Sequence, residues 1–180
     1  SGAVLLKNVD HPDNLTAAEI DSHVHICIHG RGNFRNSPTL KSYIKQKIDT
    51  PSITHILLDM RHCQGMDSTF MGVLAGLACI AKNRPQLSFQ LTHLSAKNEA
   101  LLITLGVNRV LDYHLATDAS DPLPNTTPQL ELPIQTDTQD AAQTSLEAHQ
   151  QLADLTPQNK IEFKSVIELL QADLDQLNGA

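Results

Sequence analysis

Apolar and polar positions along the chain alternate between a two-residue rhythm and a helical one. His23-Val24-His25-Ile26-Cys27-Ile28-His29 alternates strictly: Val24, Ile26 and Ile28 share one face of a strand, and His23, His25, Cys27 and His29 share the other. Ser37-Pro38 then reads as a helix start, with proline where its missing N–H costs nothing. Leu40, Ile44 and Ile48 give that helix one buried stripe, and Thr50-Pro51-Ser52 stops it. Ile53 to Met60 is a short apolar run, suited to a strand buried on both faces. Leu87 to Thr92 alternates as a further strand, Ser95 caps a helix through Leu105, and Gly106 sits where a left-handed residue ends one. Val4 to Val9 and Val107 to Leu111 complete the expected strands, with a turn at 10–14.

The stretch from Asp59 to Leu74 links the central strand to a small-residue helix running to about Asn83. Asp67-Ser68-Thr69 opens this helix, because short oxygen-bearing side chains accept the free N–H groups of a first turn. Phe70, Leu74, Leu77 and Ala81 form its apolar face, and Gly72, Ala75 and Gly76 a bare stripe. Two glycines cost about 1 kcal/mol each in helix propensity, so the stripe implies close approach of another backbone. The simplest such approach seats the helix on its own sheet.

Strand–helix alternation predicts an α/β fold with right-handed crossovers. Four prolines among Asp, Thr, Ser and Asn mark residues 115–138 as an extended linker after a first domain at 1–114. Residues 139–180 are expected to form a helical hairpin, with Thr156-Pro157 starting its second helix. Phe163, Ile167, Leu170, Leu174 and Leu177 are spaced four, three, four, three, the seam one helix offers another. Two heptads do not stand alone in water, so 157–178 must pack on the preceding helix, on the body, or on a second copy of the chain.

The charge is uneven. Of the 180 residues, 1–112 hold 11 basic and 9 acidic side chains, whereas 113–180 hold 2 basic and 11 acidic. Nucleic acid is a poor partner for such a chain, since phosphate binding needs a basic stripe. No apolar run is long enough to insert in a membrane. No leader pattern opens the sequence, and three cysteines without framework spacing suit a reducing compartment, so a cytoplasmic location is expected.

Three other constellations carry weaker signals. His residues at i and i+2 on a strand can share a metal, but no closed set of four donors is visible, so the stripe reads as a polar, partly open sheet face with no metal. Cys63 beside His62 lacks a third orienting residue for nucleophilic catalysis. Gly30-Arg31-Gly32 lacks the spacing of a dinucleotide fingerprint.

A strand ending in Asp59, a short loop, then Asp67-Ser68-Thr69-x-x-Gly72-Val73-Leu74 resembles the STAS domain, the family of the anti-sigma factor antagonists. The likeness spans roughly residues 20 to 114 and includes Gly30 and Leu105-Gly106-Val107. It implies a mixed or mostly parallel sheet of four to five strands, helices mainly on one face, and here a C-terminal helical extension. It implies a non-enzymatic, cofactor-free binding module of a bacterial partner-switching pathway. Ser68 would be phosphorylated by an anti-sigma factor-type serine kinase and restored by a PP2C-type phosphatase. Asp67, Thr69, Phe70, Met71 and Gly72 would form the docking surface. Many members have Gly where this chain has Phe70, which would alter that surface. The alternative is an unphosphorylated adaptor, or a structural subunit of a transporter or signalling scaffold.

Overall fold

The computed structural model describes residues 13–117, 128–134 and 137–179. The strand expected at 4–9 lies outside them. The chain order is β1 (Asn14–Ile20), β2 (His23–Gly32), α1 (Ser37–Ile48), β3 (His55–Asp59), β4 (Cys63–Met66), α2 (Ser68–Ala81), β5 (Ser88–Leu94) and α3 (Ala96–Thr104). A 3-10 turn (Val107–Arg109), β6 (Asp112–Leu115), β7 (Leu130–Leu132), α4 (Thr138–Ala153) and α5 (Pro157–Gly179) follow.

The sheet is mixed, in the order β6-β5-β3-β2-β1-β7, with β4 pairing β2 off this path. Strands β2, β3, β5 and β6 run parallel, while β1 is antiparallel to both β2 and β7. Val24, Ile26 and Ile28 join Ile56, Leu58 and Leu91 in one core cluster with Leu40, Ile44 and Ile48 of α1 and Phe70, Leu74 and Leu77 of α2. The apolar stripes legible in the sequence thus meet each other.

Four elements differ from expectation. β1 is an additional strand, whose Ala17, Ala18 and Glu19 are poor strand formers; pairing of its whole length with residues 23–29 of β2 overrides their propensity. The expected strand at 107–111 is a 3-10 turn, because Gly106 takes φ +74° and the chain coils once more before β6 begins at Asp112. The Cys63–Met66 part of the loop pairs with Gly30–Gly32 as β4. Within the expected linker, Leu130–Leu132 caps the β1 edge as β7.

Helices α4 and α5 form a hairpin laid on the body. The seam works within the chain: Phe163, Ile167 and Leu170 are partly buried, Leu174 is fully so, and Leu177 is exposed. The turn between the two helices is pinned by Asn159, which is 2 % exposed. Its amide nitrogen donates to the carbonyls of Leu105 (2.8 Å) and Leu152 (2.9 Å), tying α5 to the end of α3 and the end of α4.

Candidate functional site

Asp67 is the N-cap of α2. It is extended, and its Oδ1 accepts from the Phe70 N–H at 2.9 Å. Its Oδ2 accepts from the Phe34 N–H at 2.8 Å, so one carboxylate fixes the helix start and the loop after β2. Ser68 is therefore the first helical residue, and it is half-buried.

Helix α4 lies across this helix start. The Ser68 Oγ is 2.8 Å from Nε2 of His149, and His149 Nδ1 is 2.7 Å from the Ser145 carbonyl. A carbonyl only accepts, so Nδ1 carries the imidazole proton and Nε2 accepts from the serine hydroxyl. The Thr69 and Ser145 hydroxyls pair at 3.0 Å. His149 is 5 % exposed, with the Phe163 ring set against it edge-on at 5.2 Å. Lys41 of α1 pairs with Glu147 of α4. Burial alone would raise the Glu147 pKa, but Lys41 reverses this and holds the carboxyl below its ordinary value.

The bare stripe of α2 faces α4 and not the sheet, which corrects the reading made from the sequence. A Cβ built on Gly72 would stand 2.3 Å from the Ala148 carbonyl oxygen, whereas one on Gly76 would meet only the Gln151 side chain. The Gly72 approach is backbone to backbone, and only a residue without a Cβ allows it.

The expected docking residues separate. Phe70 is wholly buried in the core, seated on Gly32, so its ring contributes nothing to the outer surface. Met71 is 5 % exposed, Thr69 is 4 % exposed, and Gly72 lies beneath α4. The half-exposed aromatic beside Asp67 is Phe34, 53 % exposed in the loop that Asp67 holds. Sequence reasoning missed it, because no periodicity marks a lone aromatic in a loop.

Elsewhere, Cys63 is buried and its thiol proton bonds the Gly65 carbonyl at 3.3 Å. Burial pushes its pKa up, the opposite of nucleophile activation. The His stripe of β2 meets residues of β3 and of the turn before β4. His25 Nε2 is 3.1 Å from Asp59 Oδ2, His23 stacks on His55 at 4.2 Å, and His29 stacks on His62 at 5.4 Å. Burial would lower the His25 pKa, but hydrogen bonds to Asp59 and Cys27 outweigh it and raise the value to about 9. Asp59 is held below the ordinary carboxylate value: burial opposes this, but the His25 ring and the Arg61 backbone N–H both favour its charged form.

No helix among the described residues is long and apolar enough to cross a membrane. No curated protein sequence matches the chain. Among solved structures it is similar to the unphosphorylated anti-sigma factor antagonist SpoIIAA, at 16 % identity over 58 % of this chain and 87 % of that one, with a TM-score of 0.46. The phosphorylated form of the Bacillus cell fate determinant SpoIIAA matches at 15 % identity over 57 % of this chain and 93 % of that one, with a TM-score of 0.45. The murine anion transporter Slc26a9 matches at 14 % identity over 63 % of this chain but only 22 % of its own, with a TM-score of 0.48. The family model of the STAS domain matches residues 14–110, which hold the sheet from β1 to β5, helices α1 to α3 and the Asp67-Ser68 helix start. With more than half of its length matched, the chain belongs to the STAS domain family.

Proposed function

We propose that this chain is a non-enzymatic, phospho-switchable protein-binding module of a partner-switching pathway, like an anti-sigma factor antagonist, with Ser68 as phosphate acceptor. Its partners would be a serine kinase of the anti-sigma type and a PP2C-type phosphatase. The observation that carries the reading is the placement of Ser68 as first residue of α2, behind the capping carboxylate of Asp67. A helix N-terminus tolerates a phosphate through its partial positive charge and free N–H groups. A dianion there leaves the fold intact and changes what can dock.

Here the acceptor hydroxyl is engaged by His149. A kinase must therefore meet a form in which α4 has lifted, and phosphate on Ser68 holds α4 away from its closed seat. The test is intact-mass analysis after incubation of the full chain with ATP and a candidate anti-sigma-type kinase. One phosphate is expected, lost in Ser68→Ala and gained faster in a variant whose α4 is loosened. Absence of phosphate on Ser68 in both the parent and the loosened chain overturns the reading.

The second reading is an unphosphorylated adaptor. It is favoured by the contact of Gly72 with the Ala148 backbone and by the two carbonyls Asn159 satisfies, both features of a permanently seated hairpin. Hydrogen exchange separates the two. Amides of α4 that open only with the core support the adaptor, and amides that open well before it support the switch.

A further inference from the structure

We infer that His25, Cys27, Asp59 and His93 form a binding site for a thiophilic divalent cation of the zinc type, on the sheet face away from the core helices. The sequence offers only one strand's worth of donors; the sheet brings the others to the same level. Cys27 of β2 is in register with Asp59 of β3, and Asp59 with Thr92 of β5. His25, two residues before Cys27, shares its face. His93 follows Thr92 and in a regular strand would point to the opposite face. Instead it takes φ +55°, at a register shift between Leu91 and Leu94, and its Nδ1 comes within 3.6 Å of Asp59 Oδ1. A bulge of this kind re-aims a side chain.

The distances suit an ion. His25 Nε2 lies 3.1 Å from Asp59 Oδ2 and 3.9 Å from Cys27 Sγ, and the three donor atoms all lie within 4.8 Å of one another. Bonds of 2.0–2.3 Å in a tetrahedron place donor atoms about 3.3–3.8 Å apart. His25 Nε2 thus already lies near tetrahedral spacing from Asp59 and Cys27, whereas His93, outside this group of three, must move inward to become the fourth ligand. A proton-relay triad is a poorer description, since a relay uses the two imidazole nitrogens separately. Here Cys27 and Asp59 both converge on Nε2, and Nδ1 of the nearly buried His25 has no hydrogen-bond partner among the described residues.

The charges balance. Zinc enters as a dication, and the His25 imidazolium and Cys27 thiol each release a proton. One thiolate, one carboxylate and two neutral imidazoles then leave the centre neutral. Arg61 opposes the ion in the closed arrangement: its guanidinium is 3.6 Å from Asp59 Oδ2 and 3.1 Å from His93 Nε2. Binding requires that side chain to turn outward, which makes Arg61 a gatekeeper whose removal strengthens binding.

The experiment is cobalt titration of the untagged full chain, followed by zinc competition. One cobalt per chain is expected, with the intense visible bands of a tetrahedral ion and a thiolate-to-cobalt charge-transfer band. Cys27→Ser removes the charge-transfer band, whereas Cys79→Ser, at an exposed cysteine, keeps it. Asp59→Asn weakens zinc, and Arg61→Gln, which removes a positive charge beside the ion, tightens it by about 10-fold. A merely structural ion-pair cluster would give no cobalt spectrum and would only lose stability in Arg61→Gln. No binding by the parent chain, or a charge-transfer band that survives Cys27→Ser in a variant of native circular dichroism, overturns the inference.

Discussion

At the scale of single residues, the site depends on which atoms of Asp67 and His149 are already committed. Both carboxylate oxygens of Asp67 accept backbone N–H groups, one from Phe70 and one from Phe34. Removing an N-cap costs about 1 kcal/mol, and a second charge-assisted bond about as much again. Asp67→Ala is therefore expected to destabilise the chain by about 2 kcal/mol in urea unfolding, and Asp67→Asn by less. Equal losses in the two variants would mean that the carboxylate charge, not its bonding geometry, stabilises the loop. Asp67 and Ser68 were legible in the sequence because capping chemistry is local. His149 was not: it acts over 81 positions, and nothing in its own helix marks it as the partner of a serine. His149→Ala leaves the Ser68 hydroxyl without its acceptor and strips the edge contact from Phe163. The expected result is faster exchange at α4 amides, with the protection of β2 and β3 unchanged.

Between elements, the informative contact is Gly72 against Ala148. A side chain at 72 must push against backbone, which cannot yield as the end of a flexible side chain does. Gly72→Val is expected to lift α4 at a cost of about 1–3 kcal/mol from overpacking, only partly offset by better helix propensity. Gly76→Ala, which meets only Gln151, is expected to be neutral or stabilising. Exchange at α4 that is as slow in Gly72→Val as in the parent would show that the two helices slide without separating. The same interface is acid-sensitive. Glu147 has a depressed pKa in the folded chain, so its contribution is present above the ordinary glutamate value and lost as pH falls through the folded one. Its side chain is 45 % exposed, so screening keeps this effect small. Exchange at α4 should quicken on acidification in the parent and change less in Lys41→Met. The glycine stripe was visible in the sequence, and its demand for a close neighbour was correctly inferred. Spacing alone could not say whether that neighbour was the sheet or a helix 70 residues downstream, because both call for the same missing Cβ.

Across the whole molecule, β7, α4 and α5 complete the STAS body. β7 covers the β1 edge, and α4 covers the bare stripe of α2. Among the described residues seven strands stand where four or five were legible, because the additional ones are short or weakly β-forming and exist through their pairing. Leu146 and Leu152 are 4 % and 0 % exposed, and full burial of a leucine stabilises by about 2 kcal/mol. A chain ending at residue 117 loses these contacts, uncovers β1 as an open edge, and exposes an α2 face of Thr69, Gly72 and Gly76. Open edges and bare helix faces both invite a second copy. The truncated chain is expected to unfold at lower urea and to gain mass with concentration in light scattering beyond whatever the full chain shows. Adding residues 137–179 back as a separate peptide should reverse both changes by reseating α4. Equal stability and equal mass in the two chains would show instead that the hairpin rests on the body without supporting it. A covering element that supports nothing is free to leave at no cost, and the closed site at Ser68 would then present no barrier to a kinase.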